Sequence, residues 1–515
     1  MLNSLFRYIW KKSAETKGYW LTRFVFLRLI GFIYLFAFLT LVFQGIPLLG
    51  ENGLLPTNNY LDALGSRFPS KIDAFTSLPT IFWFGFSDTM FVVLAWIGVI
   101  LSFLVLIGFA NSIILFILWF LYMSFVHIGQ TWYSFGWEIQ LLETGFLAIF
   151  IVPLLDMRPF PKTPPPVPVI WLLRWLTFRL YMGTGLIKFR GDSCWSDLTC
   201  LFYHYETQPM PNPLSQFFHF LPNWFHRLGV LYSHFASLVV PFFIFGPIRK
   251  VRHIAGLLLI LFQVILLFNG NYSFLNVLAI IATIGVFDDT FLRRLLPKFI
   301  VRKAENAERN SKLSGNQLIL SWILMIIVAL MSIVVIQNLL SPNQAMNTSF
   351  NQLHLVNTYG AFGSIGKART ELIIQGTDER VINEQTVWKE YEFKAKPGDV
   401  NRIPPQVAPY HLRLDWLIWF AAFSSPNQHP WMINLVWKFL QNDEDALSLI
   451  SYNPFPNKPP NFIRVEHYRY SFAPLDERAV WKRDYIGSWL PPLSKNNPEL
   501  IQFIRNNNWE MYSDK

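Results

Sequence analysis

Residues 183–213 read GTGLIKFRGDSCWSDLTCLFYHYETQPMPNP. The stretch leaves an apolar run and meets at once Lys188, Arg190, Asp192, Asp197, His204 and Glu206. It holds both cysteines of the chain, Cys194 and Cys200, together with Trp195 and a proline-rich exit at 208–213. A connector between helices needs little beyond turn residues and a few charges. Reactive and hydrogen-bonding groups gathered at the end of an apolar run instead mark a loop held against a membrane boundary, where function is to be sought first.

The surrounding composition agrees. Of 515 residues, 52% are hydrophobic and only 15% are charged, against about 25% charged in soluble domains. An apolar helix of about 20 residues crosses the hydrocarbon core, and such runs fall at 24–44, 89–109, 112–128, 139–155, 169–187, 229–246, 253–269, 273–287 and 318–340. The expected fold class is therefore a polytopic α-helical membrane protein of about nine spans, covering 1–340, followed by a soluble α+β domain at 341–515. Within the latter, alternation at 370–375, 387–393 and 467–472 predicts strands, whereas 412–423 and 432–440 read as helices.

The net charge of +10 does not point to nucleic acid. After residue 340 there are 18 basic and 18 acidic residues, so the whole excess lies between the spans, where it reports topology and no phosphate-binding face. Arg7, Lys11, Lys12, Lys17 and Arg23 place the N-terminus in the cytoplasm. The basic loops at 156–168, 247–252 and 288–317 then fall on the same side, and the acid-leaning loop at 45–88 falls outside. This sidedness puts 188–228 and everything after 340 on the non-cytoplasmic face.

Candidate site residues follow from chemistry. Cys194 and Cys200 allow a bridge, two semi-buried thiols or a redox pair. An oxidising compartment and a chain that loops back favour a bridge; a continuous helix would set them on different faces, and no CxxC pair is present. Lys188 reads either as an interfacial lysine snorkelling to the headgroups or as a desolvated base or clamp, with Arg190 and Asp192 as its counter-charges or a solvated turn. Glu138 reads as interfacial. Glu143 lies deeper, and a carboxylate within a span must face protein or water, so Lys188, Arg190 or a histidine is its expected partner. His204, His219, His226 and His234 lack the tight spacing of a metal site, so no metal is expected. The segment 363–368 lacks the spacing of a phosphate loop. Asn271 and Asn347 open glycosylation sequons.

Several longer motifs together resemble the lipase maturation factor family. They are the stretch 188–200 with 204–213, Gly50-Glu-Asn-Gly-Leu-Leu-Pro56, Phe135-Gly-Trp-Glu138 with Leu142-Glu-Thr-Gly-Phe146, and Gly270-Asn-Tyr-Ser-Phe-Leu-Asn276. After residue 340 they are Asn357-Thr-Tyr-Gly-Ala-Phe-Gly363, Tyr391-Glu-Phe-Lys394, Arg413-Leu-Asp-Trp416 and Glu466-His-Tyr-Arg-Tyr470. The resemblance implies a multi-pass membrane protein of the endoplasmic reticulum, or of the inner membrane if the chain is bacterial. It would help exported lipases reach their active state without necessarily doing covalent chemistry, with clients bound by the part after 340. No cofactor is expected. Partners would be exported clients and membrane lipid, with no nucleic acid. Animal members carry cysteines in the segment equivalent to 394–405, where this chain has Ala395 and Pro405, which suggests a bacterial or divergent member. The membrane half is also similar, over a shorter motif, to vitamin K-dependent gamma-carboxylases. That similarity implies a rival reading, a membrane enzyme with Lys188 as base, Glu143 or a nearby histidine as partner and a lipophilic cofactor in the bundle.

Overall fold

Helices form at all nine apolar runs. The computed structural model describes residues 18–509, so four of the basic residues that orient the N-terminus (Arg7, Lys11, Lys12 and Lys17) lie outside the described residues. The main helices of the first part are α1 (Trp20–Leu49), α2 (Asp88–Ile107), α3 (Ser112–Ile128), α4 (Gly136–Ile151), α5 (Val167–Arg190) and α6 (Asn223–His234). They continue with α7 (Arg249–Asn269), α8 (Leu275–Thr283), α9 (Lys298–Arg309) and α10 (Gly315–Leu340). Helix α6 runs on through a π turn at Phe235–Val239 as far as Phe243.

Length and apolarity alone mark four of these as able to cross a membrane: α1, α2, α7 and α10. The others are shorter, or carry charge as α4 and α5 do. Helix α9 falls outside the nine runs. It is an amphipathic basic segment with Phe299 largely exposed, as suits a helix lying in the interface plane.

Capping accounts for several helix starts. Ser87 accepts from the Met90 amide (3.2 Å) and Asn111 from the Ile114 amide (2.9 Å), each relieving one orphan donor of a first turn. Helix α1 is capped from a distance: Asp289 accepts from the Trp20 (3.0 Å) and Leu21 (2.8 Å) amides, a carboxylate at the positive end of the helix dipole. Helices α1 and α2 interlock through small residues, the usual membrane solution. A Cβ on Gly45 would come within 2.2 Å of the Phe91 ring, and one on Gly98 within 2.2 Å of the Phe38 ring.

After residue 340 the chain is α+β. Strands β1 (Arg369–Thr377), β2 (Lys389–Glu390), β3 (Glu392–Phe393), β4 (Ile450–Tyr452), β5 (Phe462–Phe472) and β6 (Trp481–Leu493) make a four-stranded antiparallel sheet, β2-β1-β5-β6, and a small β3-β4 pair. Helices α11 (Arg413–Ala421), α12 (Pro430–Phe439) and α13 (Pro498–Asn506) complete it. Strand β1 is buried along nearly its whole length. This part is not detached from the helices: one apolar core runs from Trp20 to Ile504.

Replacing Gly by Ala inside a helix ordinarily stabilises it by about 1 kcal/mol. At Gly45 and Gly98 the ring contacts reverse the sign, because over-packing costs ~1–3 kcal/mol. Gly45→Ala and Gly98→Ala should each lower the thermal midpoint of the purified chain in detergent, and a rise at either position would refute the interlock.

Candidate functional site

The signature loop is docked, group by group, onto residues that follow 340. Asp192 donates its amide to the Gly363 carbonyl (2.9 Å) and accepts from the Cys194 amide (3.0 Å). Trp195 Nε1 donates to the Phe362 carbonyl (2.9 Å), and Arg190 Nη1 to Gln344 Oε1 (2.9 Å). Cys194 and Cys200 form a disulfide with their Cα atoms 4.7 Å apart. The loop doubles back between them, and the bridge packs with Trp195, Val230 and Ile365. Asp197 is exposed.

Lys188 does not snorkel. It is 5% exposed, its Nζ donates to Ser233 Oγ (3.0 Å), and the charge lies 4.6 Å from the centre of the Trp195 ring, a cation–π contact that holds it in place. The expected pairing with Glu143 is absent. Arg190 and Asp192 are engaged elsewhere, so neither is its counter-charge.

Further along, His204 Nε2 is 2.9 Å from the Tyr272 hydroxyl, which itself donates to Gln208 Oε1. Burial, with the Lys188 charge adding to it, pushes His204 down to about 3, so the ring stays neutral. Glu206 Oε2 accepts from the Phe472 amide (2.8 Å), and burial raises its pKa. Arg369, fully buried, donates to the Glu206 carbonyl (2.9 Å) and the Pro209 carbonyl (3.0 Å) while paired with Glu371. Asn271 is buried as well, which closes its sequon. It donates to the Pro211 (3.0 Å) and Pro405 (2.9 Å) carbonyls and accepts from the Val407 (2.8 Å) and Ala408 (3.0 Å) amides.

The two carboxylates of α4 anchor the other half of this seam. Glu138 is fully buried within the protein. It accepts from Arg413 Nη1 (2.8 Å), Trp137 Nε1 (2.8 Å) and the Tyr122 hydroxyl. Burial is the largest influence on Arg413 and lowers its pKa, but the Glu138 carboxylate together with Tyr133 and Tyr122 outweighs it and the net shift is upward. Glu143 pairs with Arg179 of α5. Its second oxygen accepts from the Asn357 amide and side chain (both 3.0 Å) and from the Tyr359 hydroxyl (2.7 Å).

Arg179, Arg369 and Arg413 are thus the residues that sequence reasoning missed. An arginine inside an apolar run, such as Arg179, was the available signal, because it requires a buried partner. Arg413 and Asn357 sat in motifs quoted above, with nothing local to name their partners.

Among the described residues, no group of three or more His, Cys, Asp or Glu is placed to hold a metal. The candidate residues make a buried polar interface in which Arg179 Nε and Arg413 Nε and Nη2 are left without a hydrogen-bond partner among the described residues. Its carboxylates and its lysine each have a hydrogen-bond partner.

Removing one member of a buried pair leaves the other charge uncompensated, at a cost of ~3–5 kcal/mol. Arg413→Ala should therefore lower the thermal midpoint sharply, while the double variant Glu138→Gln/Arg413→Met recovers much of the loss. Equal damage from single and double variants would contradict the pairing.

Acid should loosen the same seam. Between pH 6.5 and about 3 the unfolded chain takes up a proton that folded His204 refuses, so stability is full above that window and falls as pH drops into it. From pH 6.5 to 5 the loss is about 2 kcal/mol for this residue. Melting curves of His204→Gln should accordingly be flatter with pH than those of the parent; an unchanged slope would count against the assignment.

Comparison with known proteins agrees with this geometry. Residues 21–294 match the lipase maturation factor transmembrane domain and 355–491 match the lipase maturation factor C-terminal domain. Lipase maturation factor 1 of Bos taurus is 47% identical over 508 residues, covering 93% of this chain and 90% of that one. The Homo sapiens counterpart is 44% identical over 524 residues (96% and 92%). Lipase maturation factor 2 of Xenopus laevis is 27% identical over 600 residues (94% and 84%). No solved structure matches. These matches lend no support to the carboxylase-like reading, and Lys188, held by a serine hydroxyl and an aromatic ring, is not paired with Glu143 as that reading supposed. With both halves matched in order and relatives above 40% identity along nearly the whole chain, this multi-pass membrane protein belongs to the lipase maturation factor family.

Proposed function

We propose that this chain is a membrane-bound maturation factor that helps exported lipases reach their active folded state. The observation that carries the reading is the near full-length match to lipase maturation factor 1, 47% identical to the bovine chain. The geometry supports it in kind. Arg190, Asp192, Trp195 and Glu206 of the signature loop hold the part after 340 against the helices, so the working surface is a scaffold that presents that part to a client.

In this reading all nine apolar helices span or enter the bilayer of the endoplasmic reticulum, or the inner membrane of a bacterium. The N-terminus is cytoplasmic, and 341–515 forms a non-cytoplasmic domain that binds the client. The alternating run of the helices and the basic loops at 247–252 and 288–317 support that orientation. The mechanism is binding and ordering of partly folded client surface, which calls for no cofactor and no covalent step.

The test is complementation. Cells lacking their own maturation factor, given this chain and a secreted homodimeric lipase, should release active lipase dimer. Lys188→Met, which keeps the length of the side chain over Trp195, should retain at least half of that yield. A correctly folded chain that restores no lipase activity, or a folded Lys188→Met variant that abolishes it, would overturn the proposal.

A further inference from the structure

A second polar feature lies at the end of the bundle opposite the seam. A cavity of about 560 Å³ opens between the first turns of α1, the last residue of α2, the 156–162 connector and the amphipathic helix α9. Its volume is in the range of small-molecule sites. Four cations line it: Arg28, Arg158, Lys162 and Lys303. Its remaining wall is largely apolar, with Phe24, Ile107 and Phe299 among the lining side chains.

The cations are not equivalent. Arg158 is neutralised by Asp156. Arg28, Lys162 and Lys303 have no carboxylate partner among the described residues, although three unpaired cations beside one another repel and would otherwise be selected against. Arg28 is also held in place. Its guanidinium lies 3.7 Å from the centre of the Phe24 ring and donates to the Phe24 carbonyl (3.1 Å). Phe24 in turn stacks on Phe160 at 4.8 Å with the planes 2° apart. Gly108, at φ +121°, leaves room for this arrangement, since a Cβ there would meet Arg28 Nη2 at 2.5 Å. A pre-set guanidinium, two flexible ammonium groups and an apolar flank describe an anion site with one greasy side.

Depth names the occupant. The cavity lies beside the ends of α1 and α2, two helices long and apolar enough to cross the bilayer, and beside α9, whose exposed Phe299 suits the headgroup level. We propose that it seats the headgroup of one anionic phospholipid. The phosphate sits among Arg28, Lys162 and Lys303, and the acyl chains leave along Phe24, Ile107 and Phe299 toward hydrocarbon. Charge complementarity favours an anionic over a zwitterionic lipid, and the apolar flank favours a lipid over a free anion.

Native mass spectrometry of the full chain in detergent tests this with phosphatidylserine, phosphatidylcholine and inorganic phosphate. One phosphatidylserine should be retained at least ~10-fold more tightly than phosphatidylcholine, and millimolar phosphate should not displace it. Lys162 and Lys303 are exposed, so Lys162→Gln/Lys303→Gln should fold normally. At about fivefold per cation, it should weaken phosphatidylserine binding ~25-fold. Arg28→Gln, checked for an unchanged melting midpoint, should weaken it independently. Equal retention of the two lipids, parent-like binding by the variants, or displacement by free phosphate would each overturn the assignment.

Discussion

Two carboxylates buried in helix α4, Glu138 and Glu143, impose the constraint on which the rest of the structure depends. Each sits in an apolar helix with essentially no exposure, where an unpaired charge costs several kcal/mol. Glu143 finds a cation within the bundle, Arg179. Its second oxygen, and all cationic compensation for Glu138, are met from beyond residue 340 by Asn357, Tyr359 and Arg413. The helical part therefore cannot complete its own polar interior. The part after 340 is a structural component of the bundle, and its attachment is specific because these pairs tolerate no slippage.

The signature loop extends that logic to the other side of the seam. Its acids and aromatics read as reactive groups, yet Asp192, Trp195, His204 and Glu206 are each engaged in hydrogen bonds, several of them to backbone after 340. Arg369 and Asn271 reciprocate by gripping backbone of 206–211 and 405–408. The disulfide closes the loop at the point where it turns back beneath Ile365. The polar groups of this loop thus hold the part after 340 at a fixed attitude to the helices.

Much of the architecture was legible. Apolar runs located the nine helices, alternation found β1 and β5, and periodicity found α11 and α12. Strand β6 escaped because Gly487, Pro491 and Pro492 read as breakers, while its pairing with β5 absorbs register shifts that blur alternation. The site was legible as residues but not as pairs. Glu138 and Arg413 lie 275 positions apart, and no periodicity connects such positions. The burial of Glu138 was not legible, because its place near the start of an apolar run says nothing of what packs over it. Lys188 was left between two readings for the same reason, since Ser233 and Trp195 cover it only once the loop has folded back.

If the buried pairs make one unit of the two parts, they unfold together. Thermal unfolding of the full chain in detergent tests this directly when followed by one fluorescent label on the exposed face of α10 and another on β6. The account predicts a single transition with coincident midpoints for both labels. A sheet that melts at a distinctly lower temperature while α10 stays folded would contradict it.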